Sequence, residues 1–177
     1  MRKIVYYVAI SIDGYISRPN EDTSGFLQEG DGIDRYLQDL KGFDTVIMGR
    51  KTYEFGYQYG LKPGEAAYPH MEHYIFSKSL TFDNQSDQVH ICKPDIKIIE
   101  DLKQQEGTDI YLCGGGQFAG WLLDNKLIDI LKIKLNPLLL GGGIPLFGGS
   151  TRLYKLKYIK GEQFQGGLQI LTYRIEY

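Results

Sequence analysis

The sequence predicts an α/β fold: one mixed sheet that is mostly parallel, with helices on both faces and an antiparallel hairpin at its C-terminal end. Two observations carry this prediction. Short apolar runs typical of buried strands alternate with segments of helical periodicity through most of the chain. The last two strand-like segments, residues 154–160 and 168–177, are joined through Gly166 and Gly167 without a helical crossover, which is the connection that antiparallel neighbours use.

The predicted elements follow one another in a regular order. Residues 3–11 are rich in Ile, Val and Tyr and apolar on both faces, which suits a central, buried strand. Asp13 and Gly14 are predicted to form a turn after this strand. Residues 18–32 are polar and contain glycine, which predicts a loop, and a loop of this length usually has a function. Further strands are predicted at residues 44–48, 74–77, 89–92, 110–113 and 128–135, helices at residues 34–40, 50–57, 96–105 and 116–125, and loops at residues 60–69 and 141–149.

Composition limits the class of protein. Of the 177 residues, 42% are hydrophobic, so residues 1–177 can bury one core as a single domain. A formal net charge of −2 offers no basic field for nucleic acid, and no apolar run approaches the roughly 18 residues of a membrane span. Cys92 and Cys113 form no disulfide framework, and His70 and His73 lack further ligands. We therefore expect a cytoplasmic protein with no metal site, no nucleic-acid partner and no membrane partner.

Three glycines, Gly114, Gly115 and Gly116, stand between a predicted strand and a predicted helix. They let the backbone turn sharply and let a ligand approach the main chain without meeting a Cβ. The free N–H groups at the start of the helix then offer a site for phosphate. With Ala119 they formally satisfy the dinucleotide fingerprint G-x-G-x-x-G/A, but the next strand ends in residues 135–137, which lack the required acid. The alternatives are a phosphate site outside a Rossmann domain, or a helix cap with close strand–helix packing.

A second strand–glycine–helix junction lies at Gly49, Arg50, Lys51 and Thr52. Cations at a helix N-terminus oppose the helix dipole, so two of them together make better sense if an anion binds there. Arg50 can pair bidentately with phosphate, and Thr52 can cap the helix. The alternative is a solvated pair of surface cations. Together, the two junctions would contact two phosphate groups of one extended cofactor.

A polar turn with Ser77 and Lys78 follows the next predicted strand. A hydroxyl and a lysine at this edge of the sheet would complete a pocket for a ribose 2′-phosphate. Ser-Lys-Ser is also ordinary turn composition, so both interpretations stay open.

Taken in order, these motifs resemble the dihydrofolate reductase fold, and in particular the reductase domain of bacterial riboflavin biosynthesis, the C-terminal domain of bifunctional deaminase–reductases. Residues 9–16 (A-I-S-I-D-G-Y-I) resemble the opening S-(L/I)-D-G segment of the family. Residues 48–54 (M-G-R-K-T-Y-E) are similar to its M-G-R-K-T-x-E junction, and residues 114–129 to its G-G-G-x-L…L-(I/V)-D segment. The late glycine loop, residues 136–147, also resembles the family pattern. The resemblance spans nearly the whole chain.

The resemblance implies an NADPH-dependent reductase of a small heterocyclic or ribosylamine substrate, similar to 5-amino-6-(5-phosphoribosylamino)uracil reductase, and a homodimer. Ala9 and Ile10 would line the nicotinamide pocket through their backbone, and Ile16 would cover it. Arg50 would favour the 2′-phosphate of NADP. The implied cofactor-binding residues are Ala9, Ile10, Ile16, Gly49, Arg50, Lys51, Thr52, Ser77, Lys78, Gly114, Gly115, Gly116, Gln117 and Phe118.

Two aspartates are candidates for the proton donor that such a reduction needs. Asp34, on the helix that enters the expected cleft, is the candidate catalytic residue. Asp31 is a second candidate donor and, with Asp13, a candidate substrate contact. The alternative roles are a helix cap for Asp31 or Asp34 and turn formation for Asp13.

Other functions remain open at the level of the sequence. Folate reductases usually carry Pro-Trp before the acid-bearing helix, whereas the only tryptophan here is Trp121, which argues against a folate substrate. A dihydrofolate reductase-type enzyme that acts on a pteridine is kept as an alternative. A zinc deaminase is not expected, because there is no P-C-x-x-C. A non-catalytic nucleotide-binding or sensor protein, or a nucleotide-using transferase, would also use the phosphate junctions.

Overall fold

Ten strands and four helices follow one another along residues 1–177, all of which are described by the computed structural model. The strands are β1 (Ile4–Ser11), β2 (Tyr15–Ser17), β3 (Thr45–Gly49), β4 (Glu72–Phe76), β5 (Val89–Cys92), β6 (Ile110–Gly114), β7 (Ile130–Asn136), β8 (Ile144–Pro145), β9 (Lys155–Gln163) and β10 (Gln169–Glu176). The helices are α1 (Asp31–Leu40), α2 (Arg50–Phe55), α3 (Ile96–Gln104) and α4 (Gly116–Asp124). None of these helices has the length and apolar character needed to cross a membrane.

One large sheet contains eight of the strands, in the order β5-β4-β3-β6-β1-β7-β10-β9, and β2 pairs with β8 in a separate ribbon. Neighbours in the large sheet are parallel except around β10, which is antiparallel to both β7 and β9. The β9–β10 hairpin turns through a short 3-10 helix, Gln165–Gly167. The predicted mostly parallel sheet with a C-terminal antiparallel hairpin is confirmed.

Helices cover both faces of the sheet, as predicted. Alternate residues of β1 face opposite sides, so Tyr6 packs with the core under α3 and α4, while Tyr7 packs with the core under α1 and α2. Both tyrosines are almost completely buried. The carboxyl ends of the six parallel strands β5, β4, β3, β6, β1 and β7 all lie at one edge of the sheet, which is where open α/β sheets bind ligands.

Two helix boundaries and one two-stranded ribbon are the clearest differences from the sequence prediction. α1 begins at Asp31 rather than at residue 34, so the long polar loop is shorter than predicted. Gly32 indicated a loop, but it is buried inside the helix, where a Cβ would overlap the Leu168 side chain. α2 ends at Phe55 and continues as a 3-10 turn, and the short ribbon of β2 and β8 was not predicted.

Candidate active site

Two strand–glycine–helix junctions lie side by side at the carboxyl edge of the sheet. β3 ends at Gly49 and α2 begins at Arg50, while β6 ends at Gly114 and α4 begins at Gly116. The two strands are parallel neighbours with Met48 opposite Gly114. The structure therefore brings both junctions to one surface.

The two junctions are in direct contact. A Cβ atom added to Gly115 would lie 3.1 Å from Thr52 Oγ1, and one added to Gly49 would lie 3.3 Å from Phe118 Cβ. Glycine at these two positions therefore lets the ends of α2 and α4 approach each other. Gly114 has a φ of 137°, a value that favours glycine, and its peptide bond to Gly115 is cis.

The first turns of α2 and α4 offer main-chain N–H groups to a ligand. Their N-cap residues are Gly49 and Gly115, and no side chain caps either helix. By contrast, α3 is capped by Asp95, which accepts a hydrogen bond of 2.9 Å from the Lys97 amide. Uncapped N–H groups and the helix dipole together attract anions. Gln117 is exposed in the first turn of α4, so this surface can receive a phosphate group.

Arg50 and Lys51 add positive charge to the first junction, and both side chains are exposed. The Arg50 guanidinium donates hydrogen bonds to Glu54 Oε1 at 2.7 Å and to Ser79 Oγ at 3.1 Å. Glu54 lies on α2 itself, so the bond to Ser79 is the one that reaches the turn that follows β4. A phosphate placed there would meet a planar cation and a hydroxyl.

The hydroxyl that contacts Arg50 belongs to Ser79 and not to Ser77. Ser77 is buried, and its Oγ accepts hydrogen bonds from the amides of Ser79 (3.3 Å) and Leu80 (3.0 Å). It therefore stabilises the turn, while Lys78 is exposed. The register between β3 and β4 brings this turn beside Arg50, and a motif in the sequence does not reveal that register.

The residues expected around nicotinamide lie at the same end of the sheet. Ala9 and Ile10 are near the carboxyl end of β1, beside β6, and Ile10 is buried. Ile16 is half-buried on β2, which contacts β1. The Leu146 amide donates a hydrogen bond of 3.1 Å to the Gly14 carbonyl, so the loop that carries β8 holds β2 in place.

Two glycines of α4 have a packing role. A Cβ at Gly116 would overlap the Pro145 carbonyl oxygen, and a Cβ at Gly120 would overlap the Phe147 carbonyl oxygen. The loop that follows β8 therefore lies directly against the α4 backbone. Close packing, which was the alternative to a phosphate site, accounts for glycine at these two positions, while Gly115 faces Thr52.

Comparison with known proteins identifies the family. Residues 2–170 match the family model of the RibD C-terminal domain. The chain belongs to this family. Among its relatives is the Bacillus subtilis protein YwjB, which is 30% identical over 180 residues, 96% of this chain and 96% of YwjB.

Solved structures share the fold of this RibD-type domain. A Shewanella protein named as a riboflavin biosynthesis protein has a TM-score of 0.82 and 25% identity, over 99% of each chain. Dihydrofolate reductase from Enterococcus faecalis, complexed with NADP(H), has a TM-score of 0.68 and 16% identity, over 99% of this chain and 97% of the other. The dihydrofolate reductase-like fold and the resemblance to riboflavin biosynthesis reductases are confirmed.

The two aspartates of α1 differ in what their carboxylates contact. Asp31 accepts hydrogen bonds from the amides of Gly32 (2.9 Å) and Gln165 (3.2 Å), so it joins the start of α1 to the β9–β10 turn. The N-cap of α1 is Gly30 rather than an aspartate. Asp34 is exposed in the first turn of α1 and forms no side-chain hydrogen bond. Of the two, Asp34 is free to contact a ligand.

Asp13 anchors the late glycine loop of the RibD-type domain. Its carboxylate accepts hydrogen bonds from the amides of Leu140 at 3.1 Å and Gly141 at 2.7 Å. The Ser11 hydroxyl and these two amides lower the pKa of the Asp13 carboxyl, which remains ionised. Both of its oxygens are thus used within the protein.

The polar loop that precedes α1 lies beside the first junction. A groove of about 560 Å³ separates the loop from α2, with Glu21 and Asp22 on the loop side and Lys51 and Phe55 on the helix side. Movement of this loop would therefore change access to Lys51.

A cluster that the sequence motifs do not reveal lies beneath α1, beside Ala9. Lys134 is the partner of Ala9 in the β1–β7 register, and its Nζ lies 3.5 Å from the centroid of the Tyr36 ring. Cys113 Sγ lies 3.7 Å from the Tyr68 hydroxyl oxygen. Lys132 and Lys134 occupy alternate positions of β7 between apolar residues, and this pattern is the signal that would have revealed the cluster.

Proposed function

We propose that this RibD-type domain is an NADPH-dependent reductase that transfers a hydride to a small heterocyclic or ribosylamine substrate. The direct contact between the two glycine junctions carries the proposal, because it brings two uncapped helix N-termini to one surface. Family membership supports the reductase class, and the shared fold with an NADP(H)-bound dihydrofolate reductase supports the cofactor.

The residues at the carboxyl edge fit NADPH. Gly49 and Gly115 let the two junctions approach each other, and the uncapped first turns of α2 and α4 would hold the pyrophosphate. Arg50, with Ser79 beside it, would hold the 2′-phosphate. When bound, NADPH supplies the hydride, and the protein orients it and excludes water. The β1 backbone and Ile16 on the β2–β8 ribbon would orient the nicotinamide and exclude water from it.

Titration with NADPH, NADH and ATP tests the proposal. Nicotinamide fluorescence and thermal unfolding report binding, and we expect NADPH to bind most tightly. Loss of nicotinamide absorbance with a panel of cyclic imines and ribosylamines reports turnover. No NADPH binding at millimolar concentration would contradict the proposal, and binding without oxidation would favour a nucleotide sensor.

The Arg50→Ala variant tests whether the protein distinguishes NADPH from NADH through Arg50. A charge-assisted hydrogen bond to the extra phosphate contributes about 2 kcal/mol, so the variant should lose roughly 30-fold in affinity for NADPH and much less for NADH. Lys97→Ala, which removes an exposed cation on α3, is the matched control and should bind both cofactors normally. An equal loss for NADPH and NADH would refute the 2′-phosphate role of Arg50.

A further inference from the structure

β7 carries a lysine whose charge has no counterpart in the protein. Two other lysines with little solvent exposure are paired: Lys103 Nζ lies 2.7 Å from an Asp129 carboxylate oxygen, and Lys132 Nζ lies 2.5 Å from an Asp39 carboxylate oxygen. Lys134 Nζ has no ion pair and no hydrogen bond. An ammonium group withdrawn from water without an anion is costly, so such a group calls for a functional explanation.

The groups that surround Lys134 are neutral. Tyr36 of α1 presents its ring face to the ammonium group. The register neighbours of Lys134 in the sheet are Ala9 of β1 and Ile170 of β10. Burial lowers the pKa of Lys134 to about 8, and burial raises the pKa of the nearby Cys113 thiol. The cluster thus contains one positive charge and no fixed negative charge.

Carboxylates on the elements packed around Lys134 are occupied or exposed. Asp39 of α1 and Glu162 of β9 both pair with Arg35, at 3.0 and 2.7 Å. Asp34 is exposed on α1. None of these groups neutralises Lys134.

The Lys134 amine is not fully enclosed. The hydroxyls of Tyr154 and Thr172 are the only fully enclosed side-chain polar atoms without a hydrogen bond, and Lys134 itself is half-buried. Lys134 is also close to the carboxyl end of β7 and opposite Ala9. A ligand that reached the amine would lie beside the expected nicotinamide site.

We propose that Lys134 forms the anion-binding subsite of the substrate pocket, and that the substrate is a planar ring that carries an anionic oxygen. The ammonium group binds the anion, and the ring of Tyr36 beside it supplies an apolar wall for the planar ring. Binding thereby provides the negative charge that the fold lacks. The position of the subsite next to nicotinamide rests on the proposed reductase function.

Benzoate and benzamide test the subsite because they share a shape and differ in charge. We expect benzoate to bind the wild-type protein about tenfold or more tightly than benzamide in ligand-observed NMR, with and without NADPH. Lys134→Met should remove that preference, and Lys41→Met, an exposed lysine after α1, should keep it. Equal binding of the two probes, no benzoate binding at millimolar concentration, or an unchanged preference in Lys134→Met would overturn the proposal.

A direct measurement on the wild-type protein complements the variants. The side-chain nitrogen signal of Lys134 follows its protonation, and bound benzoate should move its titration midpoint upward by about one pH unit. An unchanged midpoint at saturating benzoate would contradict the contact. Lys134→Met should bind NADPH normally, because β1 separates Lys134 from the phosphate junctions. Failure of the wild type to bind NADPH overturns the proposed function, whereas normal NADPH binding without a benzoate preference overturns the Lys134 subsite alone.

Discussion

His73 shows how one buried side chain affects the stability of the whole domain. Its ring is completely buried between two main-chain partners. Nδ1 lies 3.0 Å from the Met71 carbonyl oxygen, and Nε2 accepts a hydrogen bond of 3.0 Å from the Tyr68 amide. The neutral imidazole, with one N–H and one lone pair, satisfies both partners. Burial lowers the pKa of His73 from 6.5 to about 4.

We therefore predict that the domain loses stability as the pH falls from 6.5 to about 4. In this window the unfolded chain binds a proton that the folded chain excludes, which costs about 1.4 kcal/mol per pH unit and roughly 3 kcal/mol in total. Above this window the contribution of His73 does not change with pH. Urea unfolding at a series of pH values measures the slope. His73→Gln should reduce it, whereas His90→Gln, at a more exposed histidine, should keep it; equal slopes in both variants would contradict the prediction.

At the scale of the elements, the packing of α4 depends on a glycine that leaves its backbone without a side chain. A Cβ at Gly120 would overlap the Phe147 carbonyl oxygen and lie 3.7 Å from Ser150 Cβ. Gly120→Ala should therefore lower the free energy of unfolding by about 2 kcal/mol and the Tm by about 6 °C. Gly142→Ala is the control, since nothing lies within 4 Å of the added Cβ, and it should unfold at the wild-type temperature. Equal Tm values for the two variants would contradict the prediction, because the loop would then tolerate a Cβ at Gly120.

The elements also show what the sequence can predict. β3–Gly49–α2 and β6–Gly114–α4 are predictable because an apolar run, a glycine and a helical period follow one another within a short segment. The β2–β8 ribbon is not predictable from the sequence. β2 has three residues and β8 has two, and the two strands lie far apart in the sequence. Ser79 and Lys134 acquire their neighbours from strand register, and register between distant strands leaves no local pattern.

At the scale of the whole molecule, the β9 end of the sheet is the more exposed of its two edges. β9 is an edge strand that pairs only with β10, and all of its residues except Glu162 are exposed. Leu156, Tyr158 and Ile159 are each about half exposed, at 46%, 58% and 50%. An uncovered edge with large apolar side chains is unfavourable in water and is typical of protein interfaces.

We predict that this RibD-type domain is a homodimer that buries the β9 edge. A two-fold dimer covers the same patch on both copies, and closure prevents further strands from adding to the edge. Changing Leu156 and Tyr158 together to Asp should therefore give a monomer in size-exclusion chromatography with light scattering. Leu37→Asp places the same charge on the exposed face of α1, where Leu37 is 53% exposed, and it should leave the dimer intact. A monomeric wild-type protein, or a dimer that survives the double substitution, would show that the interface lies elsewhere or does not form.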